Sequence, residues 1–163
     1  LLVKALNGAE PEINRILVPL DGSIKSEQAI PYARVFAKAF NAEIGLLSVP
    51  AVPEVTEYRA AAEVVESLRN IAEVHMEKFL KAVARSLREE GIRVRTMVAG
   101  NRPAVTIVEV GERMDVDMIV ITSRGRGGID LLMMGSEARR VVENTQRLVL
   151  LVPVHDVDFE NQE

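Results

Sequence analysis

Residues 117–136 read Asp117-Met118-Ile119-Val120-Ile121-Thr122-Ser123-Arg124-Gly125-Arg126-Gly127-Gly128-Ile129-Asp130-Leu131-Leu132-Met133-Met134-Gly135-Ser136. The apolar run Met118 to Ile121 has the length of a buried strand. A basic, glycine-rich loop follows, and Gly135-Ser136 opens a helix that Ser136 caps and that runs to about Asn144. Strand, glycine loop and helix N-terminus is an arrangement that cradles phosphate. Glycines let backbone N–H groups approach an anion, and the helix dipole favours negative charge there. Arg124 and Arg126 add positive charge beside the site. Taken alone, the loop leaves two readings open: an anion site, or an ordinary strand-to-helix connection with two surface arginines.

The rest of the chain repeats the strand-then-helix order. Ile16 to Leu20 is a short apolar run closing into the polar turn Asp21-Gly22-Ser23. A helix is expected from about Ser26 to Phe40, capped by Ser26 or Ser23, with Pro31 awkward unless it lies in the first turn. Glu43 to Val49 reads as a second strand, with Pro50 and Pro53 marking the loop after it. Val64, Leu68, Ile71, Val74, Leu80, Val83 and Leu87 predict one long helix over about 58–90, ended by Gly91. Ile92 to Val98 alternates as a third strand. Pro103 suits the first turn of a helix over about 104–113, Met118 to Ile121 is strand four, and Leu148 to Val152 is strand five, stopped by Pro153.

Strict β-α alternation with short continuous apolar strands implies an α/β fold: a three-layer α/β/α sandwich around a five-stranded parallel sheet. Such a sheet reverses its winding at one point, and ligands bind there, at the carboxyl ends of the strands. If strands one and four are neighbours, the Asp21-Gly22-Ser23 turn and the glycine loop meet at that point.

Composition narrows the function. The chain has 163 residues with 48% apolar and 27% charged, which fits one soluble domain with a real core. A net charge of −4 argues against a general nucleic-acid binder. The absence of cysteine removes disulfides, thiol catalysis and thiolate metal sites. Only His75 and His155 are available as imidazoles, far apart in sequence, and no apolar run reaches the roughly 18 residues of a membrane span. The default location is cytoplasmic. Residues 1–12 are expected as an N-terminal arm, 13–154 as the domain and 155–163 as a polar tail.

There is no G-x-x-x-x-G-K-[ST] loop, and the first strand is followed by the single Gly22 rather than G-x-G-x-x-G. A P-loop NTPase and a nicotinamide dehydrogenase are both disfavoured. The chain instead resembles the universal stress proteins over nearly all of residues 13–154. The opening Ile16-Leu17-Val18-Pro19-Leu20-Asp21-Gly22-Ser23 is similar to the family's first-strand signature. Gly125, nine intervening residues and Gly135-Ser136 match the second half of the G-x-x-G, nine residues, G-[ST] pattern of its ATP-binding members. The resemblance implies strand order 3-2-1-4-5, an adenine nucleotide alpha hydrolase-like, Rossmann-like arrangement that pairs strands one and four.

The resemblance also implies roles. Pro19 and Asp21 would line the adenosine site, and Val49 would pack on the base. Gly125 and Gly135 would offer backbone donors to the phosphates, and Ser136 its hydroxyl and N–H. Independently of the resemblance, Arg124 and Arg126 either screen phosphate charge or are exposed loop arginines with no specific role. By local sequence alone Asp21 is a turn aspartate and Ser136 a plain cap. One departure matters: the first glycine of the nucleotide pattern is Thr122, whose branched side chain either is tolerated, adding a hydroxyl contact, or narrows the site.

The expected function is binding of ATP or a related adenine nucleotide by a stress-response sensor or regulatory module with an unidentified protein partner. No residue set builds convincing catalysis, so hydrolysis is expected to be slow at most. Asp21 and Asp130 are the carboxylates placed to help hold a magnesium ion with the nucleotide. The apolar fifth strand, Leu148 to Val152, lies at an edge in the implied order, and edges invite pairing; the resemblance implies a homodimer joined there. The alternatives are a nucleotide-free interaction protein whose pocket Thr122 closes, and a small adenylate-handling enzyme.

Overall fold

The computed structural model describes residues 2–3, 12–50, 59–123 and 134–154. Its elements are β1 (Leu2–Val3), β2 (Arg15–Pro19), α1 (Ile24–Glu27), α2 (Ile30–Phe40), β3 (Glu43–Ser48), α3 (Arg59–Glu89), β4 (Val94–Val98), α4 (Pro103–Arg113), β5 (Met118–Thr122), α5 (Ser136–Asn144) and β6 (Leu148–Val152). The sheet runs β1-β6-β5-β2-β3-β4. All pairings among the last five are parallel, so the expected order 3-2-1-4-5 is present.

The layers follow from period-two alternation along the strands. Ile16, Val18, Ile44, Leu46, Met118, Val120, Leu148 and Leu150 point into one core, with Ala33 and Ala37 of α2 and Leu80, Ala84 and Leu87 of α3. Leu17, Leu47, Ile119, Ile121 and Val149 point into the other, with Ile107 and Val110 of α4 and Ala138 and Val141 of α5. Both faces of the sheet are covered, which is why β6 and all of β5 but Thr122 are apolar.

Two expectations need correction. The helix predicted over 26–40 is two helices. Ser23 caps α1 through its side chain, accepting from the Ser26 N–H, and a fresh helix starts at Ile30 with Pro31 in its first turn. Proline lacks an N–H and would clash inside a continuous helix, so a restart there is the cheaper geometry. Asn41 ends α2 in the left-handed region at φ 53°.

Second, β6 is not the edge of the sheet. Leu2–Val3 pairs antiparallel outside it, Leu2 opposite Leu151 and Val3 opposite Leu150. Part of the expected arm therefore forms a sixth strand.

Candidate functional site

β2 and β5 run side by side in parallel, Ile16 opposite Met118 and Leu17 opposite Ile119. The chain winds from β2 towards β3 and β4 on one side, and from β5 towards β6 on the other. The carboxyl ends of β2 and β5 thus flank the switch point where open α/β sheets bind ligands. Three pieces of chain converge there.

The first is the turn after β2. The Ser23 N–H and hydroxyl both donate to Asp21 Oδ1, at 2.9 and 2.6 Å. Gly22 between them has φ 77°, a left-handed conformation that glycine adopts without a Cβ penalty. The Asp21 N–H donates to Ser26 Oγ at 3.3 Å. The carboxylate of Asp21 is thereby fixed by the turn, half-buried at the end of β2.

The second is the end of β3, where Val49 is half-buried and packs against the α4/α5 core. Pro19 lies on the same side, because alternation along β2 places it with Leu17, and Leu17 belongs to that core.

The third is the end of β5 with the start of α5. Ser123 pins this junction: its N–H donates to the Val152 carbonyl at 2.7 Å, and its own carbonyl accepts the Gly135 N–H at 2.8 Å. Its hydroxyl accepts the Val154 N–H at 3.3 Å. The chain that leaves β5 at Ser123 therefore returns to the same point at Gly135. Gly135, not Ser136, is the N-cap of α5, with an extended φ of −60° and ψ of 151°. Its carbonyl accepts the Arg139 N–H at 3.0 Å. Ser136 is the first helical residue, one position later than the sequence suggested, and it is exposed. The first N–H groups of a helix have no partner within it, and a glycine cap has no side chain to offer them. The start of α5 keeps its capacity for an anion.

The register of β5 gives the Thr122 side chain a direction. It is 5% exposed. It follows Met118 and Val120 in the alternation and sits opposite Val152, all three in the α2/α3 core. Its side chain therefore leaves the sheet on the side of α1 and α2. Pro19, Val49 and the start of α5 lie on the other side.

Glu137 was not foreseen. Pro103 has no N–H, and the Arg102 N-cap of α4 makes no side-chain cap bond. Glu137 Oε2 supplies that cap from α5, accepting the Ala104 N–H at 2.8 Å. Arg140 donates to the other oxygen at 3.1 Å. This contact crosses 33 residues of chain, a separation at which capping-box patterns give no signal.

Arg124 and Gly125, with Arg126, Asp130 and Leu131 to Met133, lie outside the described residues. His75 is exposed on α3. The groups whose protonation is displaced sit at the far ends of the helices. A hydrogen bond from Lys38, with help from Arg34, holds the Glu90 carboxyl below the usual glutamate range. A hydrogen bond from Arg147 does the same for Glu112, and Glu112 in turn raises Arg147. Among the described residues no cluster of three or more histidine or carboxylate side chains is placed to hold a metal, and no helix is long and apolar enough to cross a membrane.

The sequence pattern of the universal stress protein family matches residues 12–153. The chain belongs to this family. Universal stress protein MJ0531 of Methanocaldococcus jannaschii is 30% identical over 152 residues, covering 93% of this chain and 89% of the relative. The universal stress protein UspA of Lactobacillus plantarum superposes with a TM-score of 0.80 at 20% identity, over 88% of this chain and 99% of that one. Two further universal stress proteins share the fold with a nucleotide in their structures. One is in complex with cAMP (TM-score 0.63, 22% identity, 88% of this chain and 99% of that one). The other, from Arabidopsis thaliana, has AMP bound (TM-score 0.61, 13% identity, 88% of this chain and 93% of that one).

Proposed function

We propose that this universal stress protein binds ATP or a related adenine nucleotide in the cleft between the ends of β2 and β5, and acts as a regulatory sensor rather than an enzyme. The observation that carries the reading is the direction of Thr122. Its side chain is buried toward α1 and α2, so the one departure from the nucleotide pattern does not narrow the side on which Pro19, Val49 and the start of α5 converge. The cAMP and AMP complexes of proteins with this fold support an adenine nucleotide as the ligand class.

In this reading Pro19 and Val49 hold the base, and Asp21 meets base or ribose from a turn that already fixes its orientation. Gly135 and Ser136 give N–H groups to the phosphates, and Ser136 adds its hydroxyl. Arg124 and Gly125 complete the phosphate side, and Thr122 contributes backbone at the strand end. Magnesium, where it accompanies the nucleotide, would rely on phosphate oxygens and water with few protein ligands, Asp21 and Asp130 being the carboxylates at hand. The one hydroxyl–carboxylate pair described in the cleft, Ser23 on Asp21, holds the turn and caps α1, so hydrolysis is expected to be slow at most. The protein works in the cytoplasm with a regulatory partner. Homodimerisation through Leu148–Val152 requires Leu2–Val3 to leave that strand, since it occupies Leu150 and Leu151.

Ser136→Glu tests the site without threatening the fold. The position is exposed at the first residue of α5, where a carboxylate favours the helix dipole by about 0.3–1 kcal/mol. The melting temperature should hold or rise while ATP affinity falls tenfold or more. ATP affinity that is unchanged in this variant would refute phosphate binding at α5.

A further inference from the structure

Helix α3 carries apolar side chains on two sides, and the fold uses one. Met76, Leu80, Ala84 and Leu87 are buried against the sheet. Val64, Leu68 and Ile71 keep the same spacing of three and four, but their stripe lies roughly half a turn round the helix at ~100° per residue. They are 59%, 51% and 66% exposed, and Val74 beside them is 54% exposed. Followed toward the C-terminus, the same outward stripe carries His75, Lys78 and Ala82. The outward apolar residues are thus confined to the half of the helix before Met76, where none of the residues from Glu63 to His75 is buried. A solvated helix needs charge on that face, and four large apolar side chains there mark a contact surface.

We propose that this stripe is a self-association face, with α3 of one copy lying antiparallel on α3 of a second copy and the two-fold axis passing between Leu68 and Ile71. Charge selects the occupant and the direction. One flank of the stripe carries Glu63 at its N-terminal end and Lys78 at its C-terminal end, while Lys81 beyond it is paired with Glu77 at 3.0 Å. In an isologous antiparallel contact each flank meets its own reverse, so Glu63 faces the partner's Lys78. A parallel pairing would set each flank against the partner's other flank, parting Glu63 from the partner's Lys78, and would align the helix dipoles unfavourably. From Glu63 to Lys78 the strip is about 24 Å long at 1.5 Å per residue. One helix's width over that length falls well short of the ~800 Å² per partner of a stable interface. The association is therefore reversible and depends on concentration. It uses a surface on α3, which packs on β3 and β4 at the other side of the sheet from β6.

The chain has no cysteine, so single-cysteine variants report cleanly. Under mild oxidation Ile71→Cys, close to the axis, should form a disulfide-linked dimer at least tenfold faster than Glu77→Cys on another side of α3. In sedimentation velocity the wild type should gain mass with concentration from whatever species it forms when dilute. Ile71→Glu should lose that gain, with circular dichroism confirming that this exposed substitution leaves the fold intact. Glu63→Lys should weaken association, and adding Lys78→Glu should restore it. Equal cross-linking of the two cysteine variants, a wild type whose mass is independent of concentration, or an Ile71→Glu variant that associates like wild type would each overturn the proposal. So would failure of the charge exchange to restore association.

Discussion

Replacing Thr122 with glycine restores the residue of the nucleotide pattern, and it separates a role in the pocket from a role in the core. The side chain is 5% exposed and packs with the row of Met118, Val120 and Val152. Glycine inside a strand costs about 0.5–1 kcal/mol in backbone entropy relative to alanine. Removing the buried γ-methyl and hydroxyl, a change comparable to Ile→Val or somewhat larger, adds about 1–2 kcal/mol. The variant should therefore be destabilised by ~1.5–3 kcal/mol, a fall in Tm of about 3–12 °C for a domain of this size. Because the side chain leaves the sheet on the side away from Pro19, Val49 and α5, ATP affinity should change by less than about threefold, under 0.7 kcal/mol. Differential scanning fluorimetry and calorimetric ATP titration on the same preparations read the two effects. A variant that binds ATP tenfold or more tightly than wild type would refute the reasoning, since only a side chain in the cleft can occlude it.

Other expectations follow from single contacts. Gly100 has φ 71°, and a Cβ there would overlap Thr106 Oγ1; Gly100→Ala should cost more than about 1 kcal/mol, read by chemical denaturation. The carboxyls of Glu90 and Glu112 are held below their usual range when folded. Their contribution is present above the unfolded glutamate pKa of about 4.3 and is lost as pH falls through the lower folded values; the acid decline of Tm should be shallower in a Glu90→Gln, Glu112→Gln double variant. Leu151→Lys, at a half-buried strand position, should shift a β6-paired dimer to monomer in light scattering, and an unchanged dimer would refute that seam. Val149 is a poor choice for this test because it is 2% exposed within the α4/α5 core, and a charge there attacks the fold.

The alternation of apolar strands with periodic helices made the architecture legible, because covering both faces of a parallel sheet demands that pattern. Local chemistry also placed Pro103, Asn41 and the Asp21-Gly22-Ser23 turn. What escaped the sequence depends on register or on distant contacts. The direction of Thr122 becomes definite only when β5 is paired with β6 residue by residue. The cap that Glu137 gives α4 joins helices whose residues are far apart in sequence. The break before Pro31 was signalled by the proline itself, yet the apolar spacing ran on through it. The pairing of Leu2–Val3 on β6 had no local signal, since two apolar residues do not announce a strand. In the cleft, the turn at Asp21 and the glycine before Ser136 were visible from residue type, while the role of Ser123 in closing the junction emerged only from its three hydrogen bonds.

The central claim is a nucleotide site at the ends of β2 and β5, and equilibrium titration of the wild-type protein tests it most directly. Isothermal calorimetry with ATP, ADP, AMP and cAMP, each with and without magnesium and with GTP as a control, should give saturable binding near one nucleotide per chain for at least one adenine nucleotide, and weaker binding of GTP. The absence of saturable binding by all four adenine nucleotides at millimolar concentration, on protein shown by mass spectrometry to carry no bound nucleotide, would contradict the account.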